Sequence, residues 1–167
     1  MGKNLWAPWR MEYIISKKTK ECIFCLDEDE AQDKTKLILF RSSLSFVIMN
    51  RYPYNNGHLM VAPFKHLSAI EDLEGDMVLD MFMMLKKSMS ILRTCLRPEG
   101  FNVGINMGRV GGAGIEDHLH IHIVPRWNGD TNFMPVLSDV RVMPEHLQET
   151  YDKLFPHFKS LKGVLPK

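Results

Sequence analysis

His118-Leu119-His120-Ile121-His122-Ile123-Val124 alternates imidazole and aliphatic side chains without a break. Successive side chains of a β-strand point to opposite faces, so the run reads as a strand with its histidines on one face and Leu119, Ile121 and Ile123 on the other. One side is core, and the other is a row of imidazoles about 6.8 Å apart at their Cα atoms. A lone histidine on such a strand is most simply a satisfied structural residue. Three in register point to chemistry, and two kinds fit. In one, neutral imidazoles at i and i+2 chelate a transition metal, with the third completing the site. In the other, one imidazole is a nucleophile toward phosphorus or carbon while its neighbours orient it and stabilise charge. The loop just upstream favours the second, because residues 108–114 hold four glycines. Glycine lets backbone N–H groups approach phosphate oxygens closely. No Gly-Lys-Ser/Thr follows, so this is not a Walker loop.

Working outward, residues 37–40, 46–49 and 59–61 are β-rich, and the Pro and Asn-Gly chemistry of residues 50–57 makes a turn between the second and third. Phe101, Val103, Ile105 and Met107 alternate with Asn102, Gly104 and Asn106, which predicts a half-buried strand. Between these groups, Ile70, Leu73, Met77, Met81, Met84, Leu85, Met89, Leu92 and Leu96 recur at three and four. That spacing predicts the principal helix over 68–96, broken near Gly75 and stopped by Pro98 and Gly100. Its methionines and Cys95 are core filler. A second amphipathic segment opens at Met143-Pro144 and carries Leu147, Tyr151, Leu154 and Phe158, with Pro156 expected to bend it or end it early. The acidic stretch 22–36 reads as loop with room for a short helix. The fold expected is α+β: an antiparallel sheet of about five strands with the principal helix on one face.

A length of 167 residues fits one domain, residues 1–167, with an aromatic arm at 1–21 (Trp6, Pro8, Trp9, Tyr13) and a C-terminal extension at 128–167. With 45% hydrophobic and 25% charged residues, the chain has material for a core. Lys plus Arg is 21 against 20 for Asp plus Glu, so no global field gathers nucleic acid or an anionic membrane. No apolar run approaches the roughly 20 residues of a membrane span, and no signal-type stretch opens the chain, which makes the cytoplasm the expected compartment. Three cysteines are too few for a disulfide scaffold.

The His-x-His-x-His run with apolar x positions resembles the signature of the histidine triad family of nucleotide hydrolases and transferases. Residues 50–63, with Gly57-His58-Leu59-Met60-Val61, resemble the family's upstream Asn and Gly-His segment, and Asn106 falls where the family has a polar residue before its glycine loop. The resemblance spans roughly residues 22 to 127. It implies a homodimer, and His120 as the nucleophile that attacks an α-phosphorus and becomes a transient nucleotidyl-histidine. The backbone carbonyl of His118 would hold its second nitrogen, and His122 and His58 would serve the phosphate and leaving-group side. Asn106, with Gly112 and Gly114 of the loop, would hold phosphate, and Asn50 would contact the ribose. No catalytic cofactor enters this scheme. Better-known members carry Gln and Ser four and three residues before the first histidine, where this chain has Gly114 and Ile115. Trp6-Ala7-Pro8-Trp9-Arg10 and the segment from Pro125 to Phe133 resemble the bacterial branch that contains diadenosine tetraphosphate phosphorylases, which cleave with phosphate instead of water.

Cys22-Ile23-Phe24-Cys25 is a redox pair, a metal half-site or a coincidence. The redox reading needs a thioredoxin-like βαβ context that is missing. A tetrahedral zinc needs two more ligands, for which the chain offers His66 and His118. Zinc-bearing relatives of the histidine triad family have the same layout, which implies a structural zinc on Cys22, Cys25, His66 and His118. The substrate expected is a dinucleoside polyphosphate of the diadenosine tetraphosphate kind, with phosphorylase slightly ahead of hydrolase. The rivals are a purine nucleoside phosphoramidase using the same His120, a nucleotide-binding adaptor with vestigial turnover, and a metal held on His118, His120 and His122.

Overall fold

The alternation of the histidine run survives in the fold as a difference between the two faces of one sheet. A computed structural model describes residues 22–27, 29–130 and 145–161. After a 3-10 turn at Glu30–Gln32, the elements are α1 (Asp33–Lys36), β1 (Ile38–Arg41), β2 (Ser45–Met49) and β3 (Leu59–Pro63). A second 3-10 turn at Ile70–Asp72 precedes α2 (Gly75–Leu96), and β4 (Gly100–Ile105), β5 (Ile121–Arg126) and α3 (Leu147–Lys159) follow. The strands form one antiparallel sheet in the order β1-β2-β3-β5-β4. The expected aromatic arm and the opening of the last segment at Met143-Pro144 lie outside the described residues.

On one face Leu39, Val47, Met49, Leu59, Val61, Ile121 and Ile123 meet Met77, Met81, Met84 and Leu92 of α2 and Tyr151, Leu154 and Phe158 of α3. The methionines expected as core filler fill that core. Ile38, Phe46, Ile48, Met60 and Ala62 point to the other face and pack around Phe24. Because β2 and β3 are buried on both sides, they read in sequence as unbroken apolar runs instead of alternating ones. Fully burying one such aliphatic or aromatic side chain is worth about 1.5–3 kcal/mol.

The break expected near Gly75 is found, and the early end expected at Pro156 is not. The helical period begun at Ile70 belongs to a separate 3-10 turn, and the helix proper starts at Gly75 with Glu74 as its N-cap. It ends at Arg97, which takes a left-handed φ of 50° just before Pro98. In α3, Pro156 neither ends the helix nor stops its packing: the helix runs on to Lys159. Leu154 and Phe158, both fully buried on either side of the proline, hold that last turn on the core against the loss of one backbone hydrogen bond. The segment expected as an extension thus closes the main core, and the Tyr151 hydroxyl donates to the Ile38 carbonyl at 2.9 Å. Among the described residues, no helix is long and apolar enough to cross a membrane.

Candidate active site

Strand β5 begins at Ile121, so His118 and His120 stand just ahead of the sheet ladder and not within it. The Leu119 amide donates instead to Leu67 O at 2.7 Å, which keeps residues 118–120 beside the end of β3. Alternation still holds across the boundary: Leu119 joins the main core, while the rings of His118 and His120 lie 5.4 and 4.7 Å from Phe24 on the other face. His122 sits opposite Met60 of β3 and Gly104 of β4. The three imidazoles share that face as expected, and two of them turn to partners outside the row. His118 turns toward the cysteines, and His122 turns toward His58, because each ring finds its own hydrogen-bond partner.

Those partners fix where the protons are. His120 Nδ1 lies 2.8 Å from the His118 carbonyl. A carbonyl only accepts, so Nδ1 carries the hydrogen and Nε2 keeps its lone pair. Burial pushes the His120 pKa down, against the smaller opposing effect of that hydrogen bond, which favours the neutral, nucleophilic ring. His58 Nδ1 accepts the Tyr54 backbone N–H at 3.1 Å, and Asn50 Nδ2 approaches the same atom at 3.4 Å. His58 must then carry its hydrogen on Nε2, which lies 3.0 Å from His122 Nδ1. His122 Nδ1 is thereby an acceptor, and its own hydrogen is left on Nε2. The rings of His120 and His122 stand edge to face, their centroids 4.7 Å apart.

Asn50 and Asn106 occupy the rim. Asn50 Oδ1 accepts the Tyr52 N–H at 2.9 Å, which orients its amide toward His58. Asn106 Nδ2 reaches Gly112 O at 3.4 Å across the glycine loop. Gly112 there has a φ of 84°, open to glycine at little cost. Two amides of that loop are spent internally, Gly112 N on Arg109 O and Ala113 N on Gly108 O. Gly114 and Ile115 follow on the approach to His118. Sequence reasoning missed Phe24 as the wall behind His118 and His120, and Tyr54, whose ring stacks on His58 at 5.0 Å and 18°. An apolar residue between two cysteines was the available signal for Phe24; a backbone amide leaves none.

The four expected metal ligands come together. One donor atom from each of Cys22, Cys25, His66 and His118 lies within 4.8 Å of all the others. Tetrahedral zinc with ordinary Zn–S and Zn–N bonds asks for donor separations of about 3.3–3.8 Å. Cys22 Sγ and His118 Nδ1 are 3.4 Å apart, and Cys25 Sγ and His66 Nδ1 3.1 Å. His118 Nε2 donates to Pro63 O at 2.8 Å, which leaves Nδ1 unprotonated toward the sulfurs, as a metal-ligating imidazole requires. Burial, and then the neighbouring Cys22 thiol, push the Cys25 thiol up; a dication relieves that kind of penalty. The donor set fits zinc. Among the described residues this is the one such cluster, and it sets the His118 ring apart from His120 and His122, against a metal held by all three.

A locked imidazole lone pair and a hydrogen-bonded histidine pair thus share one face of a five-stranded antiparallel sheet. The family model described as "HIT domain" matches residues 31–129, and the chain belongs to that family. The AP-4-A phosphorylase of Mycobacterium tuberculosis is 34% identical over 156 residues, covering 89% of this chain and 80% of its own length. A bis(5'-adenosyl)-triphosphatase of Dictyostelium discoideum is 30% identical over 89 residues, 53% of this chain and 59% of its own. A Zn-bound histidine triad family protein from Mycobacterium smegmatis shares the fold, with a TM-score of 0.60 at 22% identity over 74% of this chain and 84% of that one.

Proposed function

We propose that the protein cleaves a dinucleoside polyphosphate at an α-phosphate through a nucleotidyl-histidine on His120, with phosphorylase slightly ahead of hydrolase. The observation that carries the reading is the His120 Nδ1 hydrogen bond to the His118 carbonyl, which leaves Nε2 as a lone-pair donor in a buried setting. Nε2 attacks the α-phosphorus and the bond to the bridging oxygen of the leaving polyphosphate breaks. His122 Nε2–H, beside it, hydrogen-bonds the oxygen that takes up the negative charge and can give it a proton. In the second step phosphate or water attacks the same phosphorus and frees His120. Asn106, Gly112 and Gly114 line the phosphate approach, and Asn50 stands where a ribose would meet the His58 side. The likeness to the tuberculosis phosphorylase, over most of both chains, supports phosphate as the acceptor.

The cluster of Cys22, Cys25, His66 and His118 would hold a structural zinc. Zinc there ties the segment at 22–25 to the residue whose carbonyl locks His120, and it takes no part in bond breaking. Two chains pair along β4, one of the two outer strands of the sheet, where Val103 is 44% exposed. A reducing compartment, the cytoplasm, keeps both cysteines out of disulfides and available to the metal.

The test is a phosphorus NMR time course on diadenosine tetraphosphate, with and without inorganic phosphate, alongside zinc analysis of the purified protein. ADP plus ATP formed only with phosphate is the expected result, and His120→Asn should lower the rate by about 10⁴ or more. AMP plus ATP in water makes the protein a hydrolase. Absence of both product pairs removes the dinucleotide reading.

A further inference from the structure

The proton on His122 is set by a chain of contacts that ends outside the histidines. His122 offers Nε2–H because His58 donates to its Nδ1, and His58 does so because the Tyr54 amide at 3.1 Å, with the Asn50 amide at 3.4 Å beside it, occupies His58 Nδ1. The Tyr54 amide belongs to the turn between β2 and β3, and the residue that pins this turn to the end of β5 is Asn55, which is 7% exposed. Asn55 Nδ2 donates to Pro125 O at 3.0 Å and to Asp130 Oδ2 at 2.7 Å, and Asn55 O accepts the His58 N–H at 3.2 Å. Strand β3 pairs with β5 only as far as Ile123, so beyond that point Asn55 is what bridges the two.

Asp130 is itself held. Its carboxylate accepts Arg126 Nε at 2.6 Å, Arg126 Nη2 at 2.8 Å and the Trp127 amide at 3.2 Å. Arg126 Nη1 in turn donates to Asn102 Oδ1 on β4. The clamp therefore joins the turn that aims at His58 to the far end of the strand that carries His122.

We infer that Asn55, locked by Asp130, is a positioning residue: it holds the Tyr54 amide on His58 Nδ1 and so keeps His122 in the tautomer that offers Nε2–H to the leaving group. This rests on the proton-donor role proposed for His122, but the tautomer itself is measurable without substrate. A pinned turn leaves one arrangement of hydrogens along His58 and His122. With the pin removed, the Tyr54 amide moves off His58, and both rings are free to exchange Nε2–H for Nδ1–H. A general acid in the wrong tautomer has no proton to give, and such groups contribute roughly 10²–10⁴ to rate.

The experiment is ¹H–¹⁵N long-range correlation on ¹⁵N-histidine-labelled protein, comparing the parent with Asn55→Ala, together with steady-state kinetics. The parent should show Nε2–H on both His58 and His122, and the variant a mixture on both. kcat should fall about tenfold or more while KM changes less than about twofold, as expected for an interaction made in the transition state. His120 should keep Nδ1–H in both proteins, since its partner is the His118 carbonyl. Asn55→Asp, which is isosteric and sets two carboxylates against each other, carries the test if the smaller variant does not fold. An Nδ1–H on His58 in the parent overturns the inference, as does a folded variant that keeps both tautomers. A parent with the expected tautomers that cleaves no dinucleotide overturns the proposed reaction and leaves the clamp standing.

Discussion

Replacing Phe24 by alanine tests whether the segment carrying the cysteines is docked on the sheet. The ring is fully buried, 6.3 Å from Phe46, 5.4 Å from His118 and 4.7 Å from His120, and packs with Ile38, Ile48, Met60 and Ala62. Truncating a buried phenylalanine costs about 3–5 kcal/mol in transfer and cavity energy. In a domain of this size each kcal/mol lowers the melting temperature by roughly 2–4 °C, so a fall of about 6–20 °C is expected. Ile23, one residue away and 55% exposed, is the control: Ile23→Ala should stay within about 0.5 kcal/mol of the parent. Urea titrations followed by circular dichroism give both numbers. Repeating them after zinc chelation gives a cycle, and the two losses should fall short of additive because the same segment is released by either. A Phe24→Ala variant within 1 kcal/mol of the parent would refute the docking, and with it the idea that the cysteines stabilise the wall behind His120.

Two further outcomes follow from buried polar groups. Asp80, fully buried on α2, accepts Ser42 Oγ at 2.6 Å and Ser45 Oγ at 2.5 Å, tying that helix to the β1–β2 connection. Asp80→Ala should cost about 3 kcal/mol, Asp80→Asn about 1, and an alanine variant that melts like the parent would show the tie to be idle. Burial pushes the Tyr151 phenol up to about 12, with Asp33 and Asp152 adding to the shift. The neutral phenol is the form the fold prefers, so this stabilisation is intact below pH 10 and is lost as pH rises from about 10 to 12. Tyr151→Phe should give up about 1 kcal/mol at neutral pH with the hydrogen bond to Ile38 O, and then decline less steeply in alkaline melts by up to about 1.4 kcal/mol per pH unit. Parallel alkaline curves for the two proteins would rule this out.

Much of the site was legible because it depends on side-chain type at fixed spacing. The spacing of Cys22 and Cys25 offers half of a donor set, family resemblance adds His66 and His118, and the alternation around His120 announces which residues share a face. What stayed hidden depends on backbone groups. The start of β5 at Ile121 follows from the Leu119 amide choosing Leu67 O, and no sequence pattern records that choice. The tautomer of His58 follows from the Tyr54 amide, and every residue but proline has one. Asn55 reads as an ordinary turn former until Pro125 and Asp130 are placed beside it. Pro156 misled because a helix breaker's local cost says nothing of the core contacts that outweigh it.

Strand β5 serves two masters, Ile121 and Ile123 inward and His122 outward, and a slip of its pairing by one residue would exchange them. The imidazole would enter the main core and the isoleucines would face the open side. A one-residue slip therefore cannot misplace His122 without also costing the core its isoleucines. A chain that slips by one residue here turns apolar side chains outward, so the packing of the core and the placement of His122 fail together.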